Sequence, residues 1–442
     1  MPRPCGKRIS GSAITSGRTL PGVTVPSGAA VITSGGGSAS IWGIGGGGSG
    51  GGGAGNQTPR SASGGGGGGG AARAGGYIDA GSGGVVPPLQ NSTTFVLDLN
   101  CDPLFPDNIY GRDQNDQVRL AESVIAELEG AEDSLLFASG MAAISTLFSS
   151  LKRGQSLIVQ SGMYWGTTAW ARDFCRHREV NLIEADSSDT DGFVSLIQTE
   201  KPDMVFIEVP SNPWILTSDI EVISKAARSC SAIMAVDATA ATPILMQPIS
   251  LGADFVMHSA TKAINGHSDV IAGVLSCADA NSDVWAFVKH ERHGAGAILS
   301  AHSAWMLIRG MRTLPLRLER MCSNAMAIAK FLDRHEKIDA VWYPGIATHQ
   351  GHKVASRQMP NGFGYLMSFL IKGSREDARN FCRHLTGIHR ATSLGGVESL
   401  VEHRATVEGE LTGCLENLIR LSVGIEDAAD LIDEIDTALA NI

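Results

Sequence analysis

An α/β fold, with a large and mostly parallel sheet followed by a smaller α+β domain, is what this 442-residue chain predicts. Three observations lead there. Short apolar runs alternate with helix-like stretches through the middle of the chain, the pattern of strands joined by helical crossovers. Those runs are continuous rather than alternating, as expected for strands buried on both faces. Beyond about residue 300 the pattern gives way to one long helical stretch and then separate strands and helices.

The chain begins differently. Residues 1–75 form a glycine-rich leader whose tracts at 45–53 and 64–70 offer little to bury and much backbone entropy to lose, so disorder is expected. Up to residue 73 it carries Arg3, Lys7, Arg8, Arg18, Arg60 and Arg73 and no Asp or Glu. A basic, Ser-rich, acid-free leader has the composition of an organellar transit peptide; a low-complexity extension or a wrongly chosen start fits as well. The chain is thus expected in the cytoplasm, or in an organelle if the leader is a transit peptide.

From Tyr77 the chain reads as ordered. Residues 116–129 place Val118, Ala121, Val124, Ile125 and Leu128 at helical spacing, with Gly130 as a stop. Strands are predicted at Ser134–Ala138, Ser156–Gln160, Val180–Ala185, Met204–Val209, Ile233–Val236, Asp254–Met257 and Val270–Leu275. A helical stretch covers 302–334 and should kink or restart at Pro315. A strand at 363–371, a helix near 376–386, a strand at Arg420–Gly424 and a helix at 427–440 complete the second domain.

Net charge is −10, which excludes the basic surface of a nucleic-acid binder. Eight cysteines without a CxxC pair argue against a disulfide framework or zinc knuckle and for reduced, mostly buried thiols. No apolar run approaches the roughly 20 residues of a membrane-spanning helix. His349 and His352 make an HxxH, but Gly and Gln beside them suggest an exposed loop, and no third ligand is evident, so no metal is expected.

The chemistry-bearing residues gather at predicted strand ends, where open α/β sheets bind ligands. In 255–273, FVMHSATKAINGHSDVIAG, a strand delivers Ser259, Thr261 and Lys262. A desolvated lysine there can form a Schiff base, and the two hydroxyls suit phosphate oxygens. A loop lysine with incidental hydroxyls is the plainer alternative. Asp237, ending IMAVD, suits a protonated pyridine nitrogen, or simply the N-cap of a following helix. Glu208 and Asn212 share that edge in FIEVPSNPW, where the Asn amide could meet a cofactor's phenolate oxygen. Ser139-Gly140-Met141 opens a helix whose free amides can cradle phosphate, and Tyr164 could stack on a flat ring. Each signal is ordinary alone. Together they form a specific set.

From about Val86 onward the chain resembles the Cys/Met-metabolism enzymes that use pyridoxal 5'-phosphate (PLP), among them cystathionine γ-synthase and γ-lyase. The resemblance rests on VVPPLQNSTTF at 85–95, YGR at 110–112, SGM at 139–141, EVPSNP at 208–213, VDATAATP at 236–243, HSATK continuing into GHSD, SLGGVESL at 393–400 and RLSVGIED at 420–427. It implies the PLP-dependent transferase fold type I, with an arm over 76–115 reaching a neighbouring subunit, a PLP domain over 116–300 and a C-terminal domain over 301–442. It makes Lys262 the Schiff-base lysine, Asp237 the partner of the ring nitrogen and Tyr164 the stacking and proton-transfer residue. Gly140, Met141, Ser259 and Thr261 would hold the phosphate, and Tyr110 and Arg112 would reach the phosphate of the adjacent subunit. Arg420 would take the substrate carboxylate with Ser393 beside it. The implied protein is a homo-oligomer, a dimer sharing active sites and usually a tetramer, acting on small amino-acid substrates by elimination or replacement.

The family's variants stay open at this point: cystathionine γ-synthase or γ-lyase first, methionine γ-lyase or an O-acylhomoserine sulfhydrylase next, and a PLP-binding pseudoenzyme as a different class. Two departures bear on the choice. Thr392 stands where many γ-synthases and γ-lyases have glutamate, and EHRATVEG replaces the usual HPA and following His. Arg404 and Glu408 are thereby new charges, either near the site entrance or as a surface ion pair.

Overall fold

The computed structural model describes residues 68–442 other than 113 and 409–412. Seven strands form the large sheet: β1 (Asp133–Phe137), β2 (Ser156–Gln160), β3 (Asn181–Ala185), β4 (Met204–Glu208), β5 (Ile233–Asp237), β6 (Phe255–His258) and β7 (Gly273–Cys277). Their spatial order is β1-β7-β6-β5-β4-β2-β3. All neighbours are parallel except β7, which pairs antiparallel with β1 and β6. β1 therefore runs with β6, and the loops after β1, β2, β4, β5 and β6 open at one edge. Every residue of β4 and β7 is buried, the both-faces burial that their unbroken apolar runs imply.

Helices α1 (Gly68–Ala72), α2 (Asp116–Glu129), α3 (Gly140–Phe148) and α4 (Trp165–Arg178) belong to this layer. The expected helix over 116–129 starts on an Asn115 cap, whose side chain accepts from the Gln117 amide, and ends at Gly130 in the left-handed conformation. One boundary moves. Ala71 and Ala74 are buried against Val118, Ala121 and Val124 of α2, so folded chain begins inside the stretch assigned to the disordered leader. The alanines that follow the glycine tract supply the small apolar face. The rest of the leader, and any targeting role it has, lies outside the described residues.

The second sheet has five strands: β8 (Ile338–Trp342), β9 (Leu366–Ile371), β10 (His389–Arg390), β11 (Leu400–His403) and β12 (Leu418–Ser422), in the order β10-β11-β12-β9-β8. The long helical stretch divides at Pro315 as expected, into helices at Ala301–Met311 and Leu314–Leu332. β8 and β11 have no counterpart in the sequence reading, because charged residues (Asp339; Glu402 and His403) interrupt their apolar pattern. Leu314, Leu318, Met321 and Tyr365 join Val236, Ala238 and Val256 in one apolar core, which fixes the small sheet over the open edge of the large one.

The HxxH differs from expectation. His349 is buried and its Nδ1 accepts from the Gly351 amide, while His352 packs on the Phe363 ring. The two rings are thus packed against the protein, His349 in a turn and His352 at the start of the helix His352–Gln358, rather than held in an exposed loop. No helix among the described residues is long and apolar enough to cross a membrane.

Gly273 starts β7 directly beneath the turn after β1, where a Cβ would lie 2.1 Å from the Ser139 carbonyl oxygen and 2.9 Å from the Gly140 nitrogen. Both neighbours are backbone and cannot swing aside. Gly273→Ala is expected to destabilise the fold by about 1–3 kcal/mol through overpacking. Thermal unfolding of the variant against the parent measures it.

Candidate active site

A cavity of about 440 Å³ lies between the open edge of the large sheet and the small one. Of the twelve residues assigned to the site from sequence, ten line it: Gly140, Met141, Tyr164, Asn212, Asp237, Ser259, Thr261, Lys262, Ser393 and Arg420. Tyr110 and Arg112 do not. They sit on the arm, Tyr110 half exposed, with the Arg112 guanidinium 5.8 Å from the Tyr110 ring centroid.

Lys262 follows β6 in a tight loop held by Arg317, which donates to the carbonyls of Ala263 at 2.7 Å, Ile264 at 3.3 Å and Gly310 at 2.8 Å. The Lys262 amine donates to Ser393 Oγ at 2.8 Å. Burial, aided by the nearby Arg420 charge and opposed by Glu402, lowers its pKa to about 8. Ser393 adopts φ +85°, a left-handed conformation uncommon for a residue with a side chain. That turn lets one residue serve two cations: its hydroxyl meets Lys262, and its carbonyl accepts from Arg420 at 2.6 Å.

Asp237 ends β5 with its Oδ1 accepting from both the amide of Thr239 (2.9 Å) and its hydroxyl (2.5 Å). Oδ2 has no protein partner among the described residues. Thr239 Oγ1 also accepts from the Ser259 amide at 2.8 Å, tying Asp237 to the lysine strand. Burial raises the Asp237 pKa, while Thr239 and the buried His258 oppose the shift. His258 itself pairs with Glu129, both fully buried.

Glu208 is the clamp the sequence reading left without a role. Its two carboxylate oxygens accept from the amides of Tyr164 (2.5 Å) and Asn212 (2.9 Å), setting two cavity walls at once. Burial and the charge of Asp237 push its pKa well above the usual carboxylate range. Tyr164 caps α4, its phenol pKa raised by burial against the opposing field of Arg404.

At the start of α3 the Ser139 side chain accepts from the Ala142 amide at 3.1 Å, so the N-cap reading holds. The Gly140 and Met141 amides have no intrahelical acceptor and are open to an anion. A Cβ at Gly140 would come within 2.9 Å of Met257 Cε and 3.0 Å of Ser259 Cβ, so only glycine leaves this cradle room. The Thr261 hydroxyl accepts from the Ala272 amide at 3.0 Å, which fixes its loop as well as facing the cavity.

Arg420, on β12, is fully desolvated. It donates to Asn212 Oδ1 at 3.2 Å and pairs with Glu402, its cross-strand neighbour on β11, at 2.8 Å. Burial lowers its pKa to about 10 despite Glu402. Glu402 was not foreseen; only its place two residues after SLGGVESL marked it. Arg404 pairs with both Glu402 and Glu408 and is only 2% exposed, so the surface-ion-pair alternative is incorrect. The wall is closed by β11 and the short helix Arg404–Glu408, which turn these charges inward.

These residues fit pyridoxal phosphate: an amine of lowered pKa, a carboxylate with an unpartnered oxygen at a strand end, and a phosphate cradle that a Cβ would fill. With Lys262 titrating at about 8, its free amine is the minor form below that pH and the major form above it. The rate at which cofactor-free protein captures an added aldehyde is expected to rise through about pH 8 and level off beyond it. Stopped-flow absorbance across pH 6–10 measures it; a midpoint near that of free lysine, about 10.4, contradicts the burial argument.

Comparison with known proteins agrees with the fold. Residues 70–440 match the family described as "Cys/Met metabolism PLP-dependent enzyme". A cystathionine γ-lyase of Dictyostelium discoideum is 37% identical, covering 82% of this chain and 94% of its own length. An L-methionine γ-lyase of Fusobacterium nucleatum subsp. polymorphum is 36% identical over 76% of this chain and 86% of its own. A crystal structure of cystathionine γ-synthase from Xanthomonas oryzae pv. oryzae, in complex with aminoacrylate and cysteine, is 34% identical with a TM-score of 0.81, covering 87% of this chain and 99% of that one. With its family match spanning nearly all the described residues, this chain belongs to the PLP-dependent enzymes of cysteine and methionine metabolism.

Proposed function

We propose that the chain is a transsulfuration enzyme of the cystathionine γ-synthase or γ-lyase type, with Lys262, Asp237 and Tyr164 as its catalytic residues. The observation that carries this reading is the convergence of Lys262, Tyr164, Asp237 and Arg420 on one cavity. Bound PLP supplies an electron sink for charge developed on the substrate's α-carbon. Gly140, Met141, Ser259 and Thr261 hold its phosphate, Asp237 its ring nitrogen and Asn212 its phenolate oxygen. Arg420 takes the substrate carboxylate, the Lys262 amine moves protons beside the α-carbon, and Tyr164 covers the ring and assists proton transfer.

Thr392, a neutral residue in the cavity wall, favours a second reading as methionine γ-lyase, which has no distal amino group to recognise. A panel of O-acylhomoserine plus cysteine, cystathionine, and methionine separates the two. Turnover confined to methionine, with release of thiol and 2-oxobutyrate, rejects the leading assignment. Lys262→Ala is expected to lose at least a thousandfold in kcat on the preferred substrate.

The arm supports a shared active site. Val96, Leu97, Leu99, Leu104, Phe105 and Ile109 are exposed apolar residues around Tyr110, a patch that water disfavours unless a partner covers it. On this reading Tyr110 and Arg112 complete the phosphate site of a neighbouring subunit, within a dimer or a tetramer made of two such dimers. Arg112→Ala and Lys262→Ala chains, each inactive alone, are then expected to regain up to about a quarter of the parental activity when co-expressed, since some mixed dimers hold one intact site. Failure of mixed chains to recover activity argues for sites built within one chain.

A further inference from the structure

Arg404 and its partners are the part of the cavity that the proposed chemistry does not use. Arg404, Glu402 and Arg420 all line the cavity, and their side chains are 3–4% exposed. Arg404 and Arg420 grip the same oxygen, Oε2 of Glu402. The two guanidiniums are therefore neighbours in the same wall, joined through one carboxylate. Three polar atoms of this cluster are buried without a hydrogen-bond partner: Arg404 Nε, Arg420 Nε and Glu402 Oε1. A buried guanidinium N–H left unpaired is costly, and such a cost is usually met by a ligand or water.

Direction along the wall follows from the neighbours. Arg420 is anchored on Asn212 and on the Ser393 carbonyl, next to the Lys262 amine. Arg404 lies with Thr392 and Val407 in the wall, and its positive field reaches Tyr164. For a substrate whose α-carboxylate meets Arg420 and whose α-carbon meets Lys262, Arg404 is the next cation in the wall, held to Arg420 through Glu402. Thr392 offers no charge there. Arg404 offers a planar guanidinium with a spare donor, geometry that suits a carboxylate.

We propose that Arg404 is a specificity-determining residue that selects amino-acid substrates carrying a second carboxylate at the far end of the side chain. This deepens the functional reading above and rests on it. Glu402 and Glu408 hold the guanidinium in place and balance it in the empty cavity, so Arg404 stays charged: burial works against its charge, but the two carboxylates outweigh burial and raise its pKa. An apolar tail ending there leaves Arg404 Nε unpaired, whereas a distal carboxylate satisfies it. That difference is the discrimination.

The test compares two amino acids of equal backbone length, L-2-aminoadipate and L-norleucine, which end in a carboxylate and a methyl group and cannot undergo γ-elimination. Each is titrated into the PLP-loaded protein while the visible absorbance of the cofactor is followed. The parent is expected to bind aminoadipate at least about tenfold more tightly than norleucine, as for a charge-assisted hydrogen bond in a desolvated site. Arg404→Gln with Glu408→Gln removes one charge of each sign, keeping the wall neutral overall, and is expected to bring the ratio to about one. Arg404→Lys, which keeps the charge but not the fork, is expected to fall between. Equal binding of both amino acids by the parent, or an unchanged ratio in the double variant, overturns the role of Arg404 alone. A cofactor band moved by neither, together with no turnover across the substrate panel, overturns the functional reading and the inference with it.

Discussion

Two cations, the Lys262 amine and the Arg420 guanidinium, must share one desolvated cavity, and much of the surrounding structure answers to that constraint. Burial is the larger cause of the shift in each, to about 8 for Lys262 and about 10 for Arg420; the Arg420 charge lowers Lys262 further, and the Arg404 charge lowers Arg420. The outcome is asymmetric. A lysine so placed becomes a usable nucleophile and base near neutral pH, while the guanidinium, starting far higher, stays charged and able to bind a carboxylate. Glu402 tips the balance further by pairing directly with Arg420.

Holding the two groups together takes both sheets. Lys262 leaves β6 of the large sheet and Arg420 lies in β12 of the small one, so their separation is set by the apolar core the two domains share. Ser393 is the joint. Its left-handed backbone costs conformational energy, and the return is a hydroxyl on the lysine and a carbonyl on the arginine from one residue. Arg317 pins the other side of the lysine loop through the carbonyls of Ala263 and Ile264, and ties it to the helix Ala301–Met311 through that of Gly310. Elsewhere the carboxylates are arranged by the same logic. Glu208 and Asp237 end adjacent parallel strands, so burial and the Asp237 charge raise the Glu208 pKa, while the amides of Tyr164 and Asn212 that Glu208 clamps oppose the rise.

The large sheet was legible because its strands are uniformly apolar and its helices carry caps and stops. Six of its seven strand boundaries fall within a residue of expectation, the exception being β7, where Val270–Ala272 are apolar but lie in the loop. The small sheet was half legible. β9 and β12 read as strands, but charged residues interrupt β8 and β11, the exposed Asp339 in one and the buried Glu402 in the other, so no apolar periodicity announced them. The same feature hid Glu402 from the list of site residues. Lys262, Asp237 and the glycine cradle each sit at the end of a readable strand. Glu402 sits inside an unreadable one, and its importance depends on the register that sets it opposite Arg420.

Strand alternation also explains why Glu402 and Arg404, two apart in sequence, act together. Residues two apart share one face of a strand, and the two pair where β11 ends at His403 and the chain turns into a short helix at Arg404. One further helical turn places Glu408 four residues on, on the same side of the helix as Arg404. A strand-to-helix junction at this point thus converts a two-residue spacing, and then a four-residue spacing, into one buried cluster of alternating charge. The cluster balances its charges internally while still presenting spare donors on both arginines. A lysine at 404 would keep the charge but not the two-sided grip on Glu402 and Glu408, because only a guanidinium bonds two carboxylates in one plane and keeps a third donor free.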